Sequence, residues 1–434
     1  MKILESLLCG LRAVCGTFPD AREGRKGNIP TADFGMSAFS LFFMQSGSFL
    51  SFQRHLEKGQ GRSNAQTLFG IEHIPSDNYI RVALDEADPV LLQSCFETVE
   101  KLLAEDSGLR KSFQFLGDRM AIALDGTEYF CSNKIACPHC LTRKRNNGKS
   151  EAYHTMLSAV VVAPHSTKVL PLMPEFIARQ DGAEKQDCER NAVKRWFSAH
   201  AARLKPLRPV YLGDDIFACQ PVVEMLINQG DDFIFTCKED SHKTLYDFMD
   251  GADKNKLEQK IRTRTKTDIF RYFWIENVPL RDSKDAINVT WVGFQILDDS
   301  GKIKTKMAWV TNLSVTKENI AEIVSYGRTR WKIENETFNV MKNHGYELEH
   351  NFGHGKKYLA MMFAALNLLA FSWHSILDVL EPPWQAAREA SAKRSRFFAS
   401  MVTLTTFVIF PNWLIFLDSL TNFTIPPPLA QPQN

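Results

Sequence analysis

The sequence predicts an α/β protein: a mixed sheet flanked by helices, with a β-rich insertion and helical regions at both ends. Three observations carry this. Between residues 118 and 238, apolar strand-like runs alternate with helical ones: RMAIALDG, HTMLSAVVVAP and KVLPLMP, then ERNAVKRWFSAHAARL, PVYLGDD, CQPVVEMLINQG and DFIFTCK. Three strands, a helix, a strand, a helix and a strand make a mixed sheet covered by helices. Residues 239–310 break that rhythm with the aromatic-rich runs DIFRYFWIENV, NVTWVGFQIL and KMAWVTNL, which alternate in part and enclose the turn DDSG. The N-terminal region instead repeats apolar residues every three or four positions, the period of a helix packed on one face, and the C-terminal region also reads as helical.

Taken in order, residues 1–117 form a helical N-terminal region. MKILESLLCGLRAVCG carries Glu5 and Arg12 within its apolar run, which suits an amphipathic helix and makes a poor secretory signal. SAFSLFFMQSGSFLSFQRHL and DPVLLQSCFETVEKLLAED continue the pattern around KGQGRSNAQTLFGIEHIPSDN, read as a loop or short-helix connection. Such a module could bind DNA or simply pack. Residues 118–238 are the first part of the core, in which Asp125 closes the first strand and Asp214 the fourth. The β-rich insertion spans 239–310. The second part of the core, 311–357, contains YGRTRWKIENETFNVMK (326–342), with no Pro and a single Gly at its start. On a helix, Tyr326, Arg330, Glu334 and Phe338 share one face. Residues 358–434 are a helical C-terminal region with the Pro-rich tail IPPPLAQPQN. Within it YLAMMFAALNLLAFSWHSIL (358–377) is long enough to span a bilayer; Asn367 and His374 fit a helix buried in a large domain better. No membrane association is expected.

Composition narrows the function less than the motifs do. A formal net charge of +2 does not announce a nucleic-acid binder, although basic runs occur at 142–149, 260–266 and 392–396. Nine unevenly spread cysteines do not form a disulfide framework, so a reducing cytoplasm is the expected compartment. No phosphate-cradling Gly loop, Ser/His/Asp triad or dinucleotide fingerprint is present.

The chemistry lies in acidic residues. Two strand-end aspartates and one helical glutamate, brought together by folding, can hold the divalent ions of phosphoryl transfer. Each aspartate alone would read as a turn or helix cap, so the conjunction is what counts. Asp215 rivals Asp214. Glu336 rivals Glu334, but lies about 200° round the helix from it. CPHC (137–140), with Cys131 before it and His154 after it, could close a structural zinc site at Cys137 and Cys140. The second half of a strong zinc pattern is missing, so spacing favours a turn with reduced thiols. His350 and His354, in EHNFGHG, could contact phosphate, cap the site or simply structure a loop.

ALDG, LGDDIF and RWKIE, spread over roughly 119–345, resemble the DDE transposases of bacterial insertion sequences, in the insertion-sequence-four-like branch. That branch has a β-strand insertion in a ribonuclease H-like core. The resemblance implies Asp125, Asp214 and Glu334 as catalytic metal ligands for two Mg2+ ions, with Mn2+ as a substitute. It implies Tyr326, Arg330 and Lys342 on DNA phosphates. It also implies double-stranded DNA as partner, a homodimer when two ends are synapsed, and a cytoplasmic, nucleoid-associated location. In relatives an aromatic residue of the insertion accepts a flipped base, which makes Trp274, Trp291 and Trp309 candidates. Three residues separate Tyr326 from Arg330 and seven separate Glu334 from Lys342, one more in each case than in the family signature. On a regular helix each extra residue turns the outer side chain by about 100°. A ribonuclease H-like nuclease without strand transfer and an inactive DNA-binding descendant are the competing readings.

Overall fold

A computed structural model describes residues 1–20, 29–46, 60–146, 148–179, 187–262 and 267–424. The Pro-rich tail and most of SGSFLSFQRHL lie outside them. Among the described residues the strands are β1 (Gln114–Phe115), β2 (Arg119–Ser132), β3 (Leu141–Lys144), β4 (Ser150–Val162), β5 (Leu170–Pro171), β6 (Glu175–Ile177), β7 (Pro209–Gly213), β8 (Asp232–Thr236), β9 (Asn255–Arg262), β10 (Thr267–Pro279), β11 (Asn288–Leu297) and β12 (Ile303–Thr311). All join one mixed sheet in the order β3-β4-β2-β7-β8-β12-β11-β10-β9, with β5 and β6 also along β4 and β1 against β2. The pairs β2–β7 and β7–β8 are parallel and the rest antiparallel. Each parallel strand is entered from a helix, Glu189–Leu204 before β7 and Gln220–Gln229 before β8. The latter ends on Gly230 at φ 70°, a left-handed cap that glycine adopts without steric cost.

Two expectations change. Asp-Gly does not end the first strand. The run TMLSAVVV of β4 gives β2 a partner well beyond it, with Asp125 opposite Ser158 and Gly126 opposite Leu157, and β2 continues to Ser132. What stops short of Asp125 is pairing with β7, which covers only Met120–Ala123. KVLPLMP yields just two strand residues, since Pro171 and Pro174 lack the N–H a ladder needs. The strands of the β-rich insertion continue the core sheet. Trp309, Val310 and Thr311 of β12 pair with Thr236, Phe235 and Ile234 of β8, so the insertion prolongs the core sheet. Connecting residues 60–85 hold two helices, Gln60–Phe69 and Asp77–Asp85.

The two terminal regions pack into one helical body. Leu4, Leu7, Leu8 and Leu11 of the Lys2–Cys15 helix are buried as its amphipathic pattern requires. The Thr31–Phe43 helix is buried almost all round, with Phe39 against Trp373 and Phe43 against Trp384 and Trp413. Among the described residues Leu359–Leu380 is the one helix long and apolar enough to cross a membrane, and its apolar window is entirely buried within the protein. Asn367 donates to the Tyr346 carbonyl. His374 meets the Tyr346 hydroxyl at 2.7 Å, so each side chain that would burden a membrane span has a protein partner at one of its polar atoms. This is a core helix.

Candidate active site

The site lies where β2 and β7 diverge. Asp125 projects from β2 just past the last β2–β7 pair, and one of its oxygens accepts from the Gly126 N–H at 3.0 Å. Arg330 reaches across from the helix that follows β12. Its Nη1 lies 3.1 Å from Asp125 Oδ2 and its Nη2 lies 2.8 Å from Glu334 Oε1. One guanidinium therefore joins a strand carboxylate to a helix carboxylate at two of its nitrogens.

Asp214 follows β7 directly and stands at the head of the short helical turn Asp215–Phe217, without capping it through its side chain. Its nearest cation is Lys238, at 3.6 Å. Asp215 is tied up elsewhere: it accepts from the Lys238 N–H at 2.7 Å and from the Ser241 hydroxyl, and it pairs with His242. Of the two, Asp214 is the one without a structural task.

The helix gives Glu334 and Glu336 different neighbours. Between Ile333 and Phe338 it widens into a π-helical segment, with Ile320–Thr329 before it and Asn339–Asn343 after it. A single surplus residue in a helix is commonly absorbed this way, and such segments recur at functional sites. Glu334 faces Arg330, whereas Glu336 interacts with Lys332. Lys332 is buried and donates to the carbonyls of Ala163, Pro164 and Ser166, fastening the helix to the end of β4.

Sequence reasoning missed Glu189, the first residue of its helix. A Cβ placed on Gly126 would come within 2.1 Å of Glu189 Oε1, so the absence of a side chain at 126 is what admits this carboxylate beside Asp125. Burial, followed by the neighbouring Asp214, raises the Glu189 pKa. Asp125 is pushed up to about 7, chiefly by burial; the negative charges of Glu189 and Glu334 add to this, and Arg330 and the Gly126 N–H oppose it. In sequence, Glu189 looks only like an ordinary acidic residue in a helix's first turn. The unusual Asp-Gly inside a long strand was its one trace. Glu189→Gln should lower the pKa of Asp125. If the cluster is catalytic, it should also cut turnover about 10- to 100-fold. Unchanged turnover would leave Glu189 a bystander.

The residues proposed for DNA contact fare unevenly. Arg330 is in the site. Tyr326 is not available: it is 3% exposed, stacks on Phe115 at 3.5 Å and bonds the Gln114 carbonyl. Lys342 is half-buried and pairs with Glu349 at 2.8 Å. Trp274 and Trp291 are buried in sheet packing, and Trp309 packs tightly over Gly327. Trp331, not singled out before, is 44% exposed. It borders a cavity of about 610 Å³ also lined by Lys238, Lys306, Trp309, Arg328 and Arg330. Of the basic run at 142–149, Arg143 pairs with Glu128 and Glu151, and Arg145 with Glu151.

A second constellation lies farther along the β2–β4 hairpin. Cys137, Cys140, His154 and His354 place their ligand atoms within 4.8 Å of one another and could bind a metal such as zinc. Cys131 is exposed and takes no part. The fourth ligand comes instead from the Gly/His loop.

No protein-family model matches the chain, and no curated protein is found to be similar to it.

Proposed function

We propose that the protein is a DDE-type DNA transposase, which cuts the ends of an insertion sequence and joins them to target DNA. The observation that carries this reading is the meeting of Asp125 with Arg330, 205 residues later, and through it with Glu334. Glu189 lies beside Asp125, and Asp214 neighbours Glu189. The order of the sheet supports a ribonuclease H-like core: an antiparallel set of β2, β4 and the short β5–β6 edge, then parallel β7 and β8.

The donor set suits magnesium or manganese. Every candidate ligand is a carboxylate oxygen, and the raised pKa of Asp125 marks a buried anion short of positive charge. Asp125, Asp214 and Glu334 would hold the ions, which supply the positive charge that activates the attacking oxygen and neutralises the departing one. Arg330 keeps two of the carboxylates at a set spacing and is placed to turn towards a phosphate. Lys238, Lys306 and Arg328 give the adjoining cavity a cationic wall for a nucleic-acid backbone, and Trp331 offers it an exposed ring on which a base can stack.

In the reaction, water attacks the phosphodiester at the element's end. A new P–O bond forms, the bond to the 3′ oxygen breaks, and that oxygen takes a proton. The freed 3′ hydroxyl then attacks a target strand by the same exchange. The partners are double-stranded DNA and, when two ends are held together, a second copy of the chain.

The test uses the full chain, Mg2+ and duplexes carrying the inverted repeats that bracket its reading frame, supplied uncut or pre-cleaved. Joined product from pre-cleaved ends is the expected result. Cleavage without joining would make it a nuclease on the same core. Inertness with both substrates, despite DNA binding, would make it a non-catalytic descendant.

A further inference from the structure

We propose that Cys137, Cys140, His154 and His354 bind one Zn2+ ion that clamps the β2–β4 hairpin to the chain segment following the Glu334 helix. Zinc binding itself is independent of the transposase reading.

The geometry points to a tetrahedron. The two sulfurs are 3.8 Å apart. Each lies 3.4 Å from His154 Nε2, and Cys140 Sγ lies 3.4 Å from His354 Nε2. The two imidazole nitrogens are 3.1 Å apart. With Zn–S of about 2.3 Å and Zn–N of about 2.05 Å, a regular tetrahedron has edges of roughly 3.8 Å between sulfurs, 3.5 Å between sulfur and nitrogen, and 3.3 Å between nitrogens. The five measured edges agree with this within about 0.2 Å. Four donor atoms converging at these spacings leave between them a centre of the size a zinc ion fills.

The surroundings prepare the same ligands. His354 Nδ1 donates to the Gly355 carbonyl at 3.1 Å, which leaves Nε2 as the unprotonated, metal-facing nitrogen. The Cys137 N–H points at Cys140 Sγ at 3.4 Å, and the Cys140 N–H closes the turn on the Cys137 carbonyl. Phe130 packs against His354 at 4.4 Å, and Tyr129 stacks on His154, so the centre is screened from water. Cys140, His154 and His354 are buried. Two thiolates with two imidazoles select zinc over hard cations. Four protein ligands leave no open position, so the ion is structural rather than catalytic. Loading it displaces the two thiol protons, and affinity should rise with pH.

The topology gives the ion its task. His154 stands opposite Phe130 on the same hairpin in which Ser158 stands opposite Asp125. His354 lies beyond the helix that carries Glu334. A bond between them closes a covalent-like loop around the acidic site and fixes strand against helix. Where the Proposed function holds, zinc is thus a remote positioning element for that site.

The experiment measures metal in full-length protein purified without added metal. One equivalent of zinc is expected, as is uptake of Co2+ giving the intense visible absorption and thiolate charge-transfer bands of a tetrahedral S2N2 site. Cys140→Ser and His354→Ala should each weaken zinc binding at least 100-fold. Cys131→Ser and His139→Ala should leave it within about twofold. If the ligand variants do not fold, chelation of the wild type gives the answer: Tm should fall by roughly 10 °C or more and return with Zn2+ but not Mg2+. Protein that carries no zinc and takes up neither Zn2+ nor Co2+ overturns the proposal. So does binding that survives Cys140→Ser, or a Tm indifferent to chelation. Metal content and absorption are read without DNA, so a zinc-bound protein that fails to cut would count against the transposase reading alone.

Discussion

Asp125→Asn is expected to reduce DNA strand cleavage by about a thousandfold or more, a loss of roughly 4 kcal/mol in transition-state stabilisation. End binding should change little, because in the proposed complex the DNA backbone is met by cations and not by Asp125. Cleavage at the wild-type rate would remove Asp125 from the mechanism. The same variant should be the more stable protein in metal-free buffer at high pH. The carboxyl titrates at about 7 in the folded chain, against an ordinary value of 3.8. Between those values the folded state holds a proton that the unfolded state has lost, so wild-type stability falls as pH rises through that window. The penalty is complete above pH 7 and absent below pH 4. Asn carries no charge at any pH. Its advantage should therefore be near zero at pH 4 and reach up to about 4 kcal/mol at pH 8. Urea unfolding of both proteins at the two pH values measures it. An equal difference at both would show that no desolvated charge is being relieved. An inactive variant that outlasts the wild type is the behaviour of a site where function opposes stability.

The second large effect concerns the union of the termini. Asn64 is 3% exposed. Its Nδ2 donates to the Thr405 and Val408 carbonyls at 2.8 and 2.7 Å, and its Oδ1 accepts from the Phe410 N–H at 2.8 Å. Asn64→Asp keeps the shape but replaces the donor with an oxygen facing two carbonyls. Destabilisation of about 3–5 kcal/mol is expected at neutral pH, and less in acid, where the protonated carboxyl can donate once. The midpoint of denaturant unfolding reports it. A loss below about 1 kcal/mol would mean that the two terminal regions do not depend on this junction.

What could be read from sequence follows from how local each signal is. The helix Glu189–Leu204 and strands β7 and β8 declare themselves by period and by Gly230, so their bounds were legible. Asp125, Arg330 and Glu334 were legible as candidates because their local motifs are distinctive. The continuation of β2 past Asp-Gly was not, since a turn dipeptide is overridden only by a partner strand some 30 residues on. Glu189 escaped because its significance depends on a glycine across the fold. His354 escaped as a ligand because the metal-like cluster pairs it with residues about 200 positions earlier, a separation that no spacing rule covers. The π-helical segment was equally hidden: an added residue in a helix shows in sequence only as a register that is off by one.

The entanglement of the first and last helices also sets a timetable. The N-terminal ammonium is paired with Glu381, and Phe39 and Phe43 rest on Trp373 and Trp384. A ribosome delivers residues 1–105 roughly 250 residues before it delivers their partner helix Leu359–Leu380, a delay of ~10–50 s at ~5–20 residues per second. Throughout that interval the nascent amino-terminal helices can cover one another only in part, and the apolar faces that rest on Leu359–Leu380 stay bare. Production of this protein should therefore lean on chaperones that shelter growing chains, and messages truncated near their end should yield insoluble product.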